Sequence, residues 1–171
     1  MKSKTYNIAF SGIATALAVV LLVLASYISV AEFFFYILAA LLIELVLNVC
    51  GIGYGFLTFL ASSILGYIFF PGNIYSLSTF YAFFGLYPII SRLSFLFKNK
   101  IAQYLFKFAY FNLVLFLAKT LIFAVLFPVL LNYNYLIIFI IGNVGFVLYD
   151  LFQTQCSAFI NKHKKKFIKH E

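Results

Sequence analysis

Residues 92–107, RLSFLFKNKIAQYLFK, decide how the rest of this chain is read. Arg92, Lys98, Lys100 and Lys107 gather there, in a sequence that is otherwise almost free of charge. A cation cluster between apolar segments marks a cytoplasmic connector of a membrane protein. The segments on either side take their orientation from it.

Those segments are apolar enough to exclude a water-soluble fold. Hydrophobic residues make up 65% of the 171 and charged residues 9%, against about 25% charged in soluble domains, and the mean hydropathy is +1.10. At about 20 apolar residues per transmembrane helix, the chain has room for about six spans. The expected fold is an all-α integral membrane protein of six transmembrane helices, with both termini cytoplasmic. Residues 1–160 form the transmembrane domain and residues 161–171 a basic cytoplasmic tail.

The net charge of +8 follows from this topology. Lys2 and Lys4 stand at the amino end, four cations in the connector, five lysines in the tail, and Lys119 inside an apolar segment. Six spans put the first three groups on one side, the positive-inside pattern. No basic surface interleaved with stacking aromatics lies outside the apolar segments, so nucleic acid is not an expected partner. The tail lysines would draw anionic membrane lipid by about 1 kcal/mol per cation near the surface. The expected location is a bacterial plasma membrane, with multiple passes.

Cys50 and Cys156 fall near the inner ends of the second and sixth spans, a reducing side where a structural disulfide is not expected. No Cys or His cluster has metal-ligand spacing, since both histidines, His163 and His170, are in the tail. Neither a metal nor a cofactor is expected.

In chain order, the first helix runs from about Asn7 to Ser29, too long an apolar run for a cleaved signal peptide. Ser11, Ala14, Ala18, Leu22, Ala25 and Ser29 recur on one of its faces. Small faces let helix backbones approach closely in lipid. They serve either packing within the chain or a partner helix, for which Ala14, Ala18 and Ala25 are the candidate interface. The second helix spans Glu32 to Asn48, and the glycines of Cys50-Gly51-Ile52-Gly53-Tyr54-Gly55 turn the chain. No strand precedes them, so they are not a dinucleotide fingerprint.

The third helix covers about Tyr54 to Phe70, and Pro71-Gly72-Asn73 is an outer turn. The fourth runs from Ile74 to Ser91, bent at Gly85 and Pro88, with a polar outer half that contains Tyr75 and Thr79. The fifth extends from about Tyr104 to Phe127 and the sixth from about Leu136 to Ile160.

Three ionisable residues lie within spans: Glu44, Lys119 and Asp150. Each costs about 2.5 to 3.5 kcal/mol at a helix centre, so they should face the interior and pair. A Lys119–Asp150 or Lys119–Glu44 ion pair is expected. It would clamp helices in register, bind a ligand through Lys119, or leave one carboxylate to titrate. Asn112, Thr120 and Asn143 add polar groups, with Asn143 placed to meet the Tyr75 and Thr79 face. No hydrolase, zinc-protease or nucleotide-binding motif occurs, and no catalytic residue is expected. The chain is not read as an enzyme.

Six spans in about 170 residues, a basic central connector, and Ala14-Thr15-Ala16-Leu17-Ala18 in the first helix together resemble the S components of energy-coupling factor transporters. The likeness extends over nearly the whole chain. In that family an A-x-x-x-A element docks on a transmembrane coupling subunit. The resemblance implies capture of a vitamin-sized small-molecule substrate, at Tyr75, Thr79, Lys119 and Asn143 here, with uptake driven by a coupling subunit and an ATPase pair. The link at Ser29 to Glu32 is shorter than the lid of many members, and tryptophan is absent. Two other classes remain open: a polytopic scaffold of the rod-shape-determining type, and a proton-coupled small carrier.

Overall fold

The computed structural model of the protein describes residues 4–69, 74–117 and 135–168, and these are helical throughout, with short turns and no strand. Among the described residues, three helices are long and apolar enough to cross a membrane: Lys4–Tyr27, Glu32–Cys50 and Ile52–Phe69. Backbone contacts divide the chain into two compact units, Met1–Arg92 with Gln155–Glu171, and Leu93–Thr154.

The first unit is built on those three helices, α1 (Lys4–Tyr27), α2 (Glu32–Cys50) and α3 (Ile52–Phe69), each packed on the other two. Between α1 and α2 the chain makes a single 3₁₀ turn, Ser29–Ala31. Glu32 places an acid in the first turn of α2, where the helix dipole favours it, and accepts a hydrogen bond from the Tyr36 hydroxyl at 2.7 Å. The helix stops at Gly51, whose φ of 99° suits glycine and strains other residues.

Small residues set how closely these helices approach. A methyl group on Gly55 would overlap Leu47 of α2, and one on Gly66 would come within 3.1 Å of Leu22 of α1. Thr58 and Ser62, buried on the same face of α3, return their hydroxyls to the helix backbone at Tyr54 and Phe59. They therefore cost little in an apolar setting.

This packing involves the small-residue face of α1, for which packing within the chain and a partner helix are both open. Ala14, Ala18 and Ala25 are 4%, 0% and 1% exposed, on the face that α1 turns inward, so the chain itself covers them. They are not an open surface for a partner helix. The outward side of α1 carries Gly12, Ile13, Ala16, Leu17 and Val20.

The fourth expected helix is not continuous. It comprises α4 (Ile74–Thr79), a π-helical turn (Phe80–Phe84) and α5 (Tyr87–Ser94). The cause is Pro88, which has no N–H and whose ring would collide with the carbonyl four residues back in a regular helix. Wider winding before it keeps the backbone satisfied: the Gly85 N–H reaches the Phe80 carbonyl at 2.8 Å, and the Ile90 N–H reaches Leu86 at 3.1 Å. Phe80 and Phe84 of the π turn lie against the buried Tyr36 ring of α2, with centroids 5.8 and 6.0 Å away. A side chain at Gly85 would strike Phe59 and Phe80, both 2.9 Å from its Cβ position.

The second unit contains α6 (Lys100–Leu117) and the first part of α7 (Tyr135–Ile168). α6 begins about a turn before the expected Tyr104, because the Asn99 side chain accepts the Ile101 N–H at 3.0 Å and caps it. α7 runs on through residues 161–168, so most of the basic tail is helical.

Candidate functional site

In the second unit α6 and the first part of α7 lie antiparallel, and their contacts advance by one turn at a time. Lys107 meets Asp150, Phe111 meets Phe146, and Leu115 meets the backbone of Gly142. Each step of four residues up one helix is matched by four down the other, as side chains on facing stripes require. The seam carries a charge pair, then an aromatic pair, then a close approach.

The charge pair is short and sheltered. Lys107 Nζ donates to Asp150 Oδ1 at 2.8 Å, with side-chain exposures of 7% and 8%. The ammonium also stands 5.8 Å from the centre of the Tyr104 ring and 6.0 Å from that of Phe95, within range of cation–π attraction. A buried pair offers little net stability over apolar residues of similar size, but removing one partner costs about 3 to 5 kcal/mol. Register is what such a pair supplies.

One turn further, Phe111 and Phe146 stack with centroids 4.6 Å apart and planes 11° from parallel. Beside them Asn112 and Asn143 exchange hydrogen bonds, each amide nitrogen donating to the other's oxygen at 3.2 Å. The same nitrogens donate to the carbonyls of Phe108 and Phe139 in their own helices. A methyl group on Gly142 would come within 2.8 Å of Leu115. Asn143 is thus committed to Asn112, and the glycine beside it serves close helix contact.

A groove of about 340 Å³ opens beside this seam, with walls that are mostly apolar and with Lys107 and Asp150 in its lining. Gln153, on the next turn of α7 from Asp150, is 3% exposed, and neither atom of its amide has a hydrogen-bond partner among the described residues.

The first unit holds a separate polar cluster. Asn48 Nδ2 donates to Glu44 Oε1 at 2.6 Å and to the Ser157 hydroxyl of α7 at 3.3 Å. Glu44 is buried there at 4% exposure. A carboxylate held by an amide one turn away, on the same helix, is a local arrangement that the sequence reading did not include.

Asp150 is held by Lys107, which the sequence places in the connector, and Lys119, the partner expected for Asp150 or Glu44, lies outside the described residues. The difference at Lys107 comes from the helix start. With the cap at Asn99, Lys107 sits two turns inside α6 rather than in its first turn, and Asn99-Lys100 followed by an apolar run was the available signal. Of the other candidates, Thr79 is the half-buried last residue of α4. Tyr75 is on α4 too, and its side chain lies outside the described residues. Comparison of the chain with protein-family models, with curated proteins and with solved structures returned no match.

Proposed function

We propose that this chain is a six-span protein of a bacterial plasma membrane, with both termini inside, and that it acts as the substrate-capturing subunit of a micronutrient uptake system of the energy-coupling factor kind. One observation carries the membrane reading: polarity is inverted. Ile13, Leu17, Val20, Ile64 and Leu148 are exposed, whereas Glu44, Asn48, Lys107, Asp150 and Gln153 are buried. Exposed apolar surface on this scale is suited to lipid and unsuited to water. Ionisable groups within spans are expensive and point to a functional interior.

The capture role rests on the number and size of the spans, the cationic connector and the polar groups on the later helices. It involves no catalysis by this chain. Since Ala14, Ala18 and Ala25 are covered, a coupling subunit would meet α1 on its opposite face, where Gly12 and Ala16 stand one turn apart. A polytopic scaffold is the second reading. It is favoured by the same covered alanines and by a charge pair that leaves Asp150 engaged with Lys107.

The test is purification from native membranes in mild detergent, followed by mass spectrometry of the released small molecules, with reporter fusions at both termini. A stoichiometric small molecule and two cytoplasmic termini support capture. An empty protein with the same termini supports the scaffold, and an external terminus overturns the topology.

A further inference from the structure

The groove along α6 and α7 has the chemistry of a lipid site. Its walls include Ile101, Leu105 and Phe108 from α6, and Val147 and Leu151 from α7, all exposed apolar side chains. Exposed cations stand around the start of α6. Lys100, the first residue of α6, lies one turn before Tyr104 and two before Lys107, on the stripe that lines the groove, and Lys98 stands two residues before the helix, ahead of the cap Asn99. From Lys100 to Lys107 the helix rises about 10 Å. The apolar groove therefore has an exposed cation, Lys100, at the start of the helix that forms one of its walls, and a second, Lys98, two residues before it. Among the described residues Lys107 Nζ makes one hydrogen bond, to Asp150, so the buried ammonium keeps donors in the wall of the groove.

We propose that this groove is an inner-leaflet site for one phospholipid with an anionic head group, its acyl chain lying along the apolar walls and its phosphate held by Lys98 and Lys100. The proposal rests on the membrane reading above, with the connector on the cytoplasmic side. Charge complementarity selects the occupant. Basic pockets between membrane helices on that side bind anionic head groups, and the cytoplasmic leaflet is where anionic lipid is found. A zwitterionic lipid brings its own cation to the phosphate and so gains less from the two lysines, and a free phosphate would leave the groove empty.

The experiment uses the full chain in detergent, with native mass spectrometry during titration by phosphatidylglycerol or by phosphatidylcholine of the same acyl chains. The expected result is one retained phosphatidylglycerol per chain, preferred over phosphatidylcholine and not displaced by glycerophosphate. Lys98→Gln with Lys100→Gln should erase most of that preference, a loss of about thirtyfold for two cations near a charged surface. Val147→Trp should block the groove and lower the binding of both lipids. If that variant does not fold, the lysine variants, altered only at exposed positions, still decide the matter.

Equal retention of the two lipids overturns the site, and so does displacement by glycerophosphate. A preference that survives the connector variants and disappears when the tail lysines are changed to glutamine also overturns it. Reconstitution into phosphatidylcholine vesicles separates the premises: failure to insert there sinks the membrane reading itself, whereas insertion without lipid selectivity sinks only the site.

Discussion

The two units solve the same problem by different means. In the first, α1, α2 and α3 are brought together by what their side chains lack: Ala18, Gly55, Ser62 and Gly66 leave room for neighbouring backbones and for Leu22 and Leu47. In the second, α6 and α7 are matched by what their side chains carry, a charge pair, a stacked aromatic pair and a reciprocal amide pair. Where apolar burial gives no drive because lipid is as apolar as leucine, van der Waals packing and interhelical hydrogen bonds remain. The first unit relies on close packing. The second is specified by pairings that lose their meaning if either helix slides by a turn.

Breaking the charge pair should have the largest effect. Asp150→Leu leaves the Lys107 ammonium buried without its carboxylate, a loss of about 3 to 5 kcal/mol. The double variant Lys107→Met with Asp150→Leu should recover most of it, because two apolar side chains of similar volume can replace the pair. Equilibrium unfolding in mixed micelles would measure both. A double variant as unstable as the single one would show that the pair does more than match charges.

Close packing in the first unit should break by crowding instead. Ala18→Leu forces added volume between α1 and its neighbours and should cost about 1 to 3 kcal/mol. Ala16→Leu, on the outward face, should stay within about 0.5 kcal/mol. Equal effects at the two positions in thermal melts would contradict the inward orientation of Ala14, Ala18 and Ala25. The smallest expected change is at the amide pair. Asn143→Leu should cost about 0.6 kcal/mol, typical of hydrogen bonds between membrane helices, and a second substitution, Asn112→Leu, should add almost nothing in a double-mutant cycle.

The contrast also explains what could be read from the amino acids alone. The helical class follows from composition. The turn at Gly51 and the irregularity around Gly85 and Pro88 follow from residue types whose backbone limits are local. Partner choice is not local. A stripe containing Ala14, Ala18 and Ala25 states that something approaches closely, without saying whether it is another helix of this chain or another protein. Lys107 shows the same gap from the other direction. Counted along the sequence it belongs with Lys98 and Lys100, and only the cap at Asn99 moves it from the connector into the seam opposite Asp150. Asn48 and Glu44, one turn apart on α2, could have been paired by spacing alone.

The π-helical turn at Phe80–Phe84 has a consequence for angular bookkeeping. Its hydrogen bond from Gly85 to Phe80 encloses one residue more than an α-helical bond would. At 3.6 residues per turn, one surplus residue corresponds to about 100° of azimuth. A helical wheel drawn straight through residues 74–94 would consequently assign Ser91 and Arg92 to the wrong sector, and removing a single residue such as Ala82 would let the turn rewind as a regular helix while Ser91 and Arg92 keep the sector they occupy.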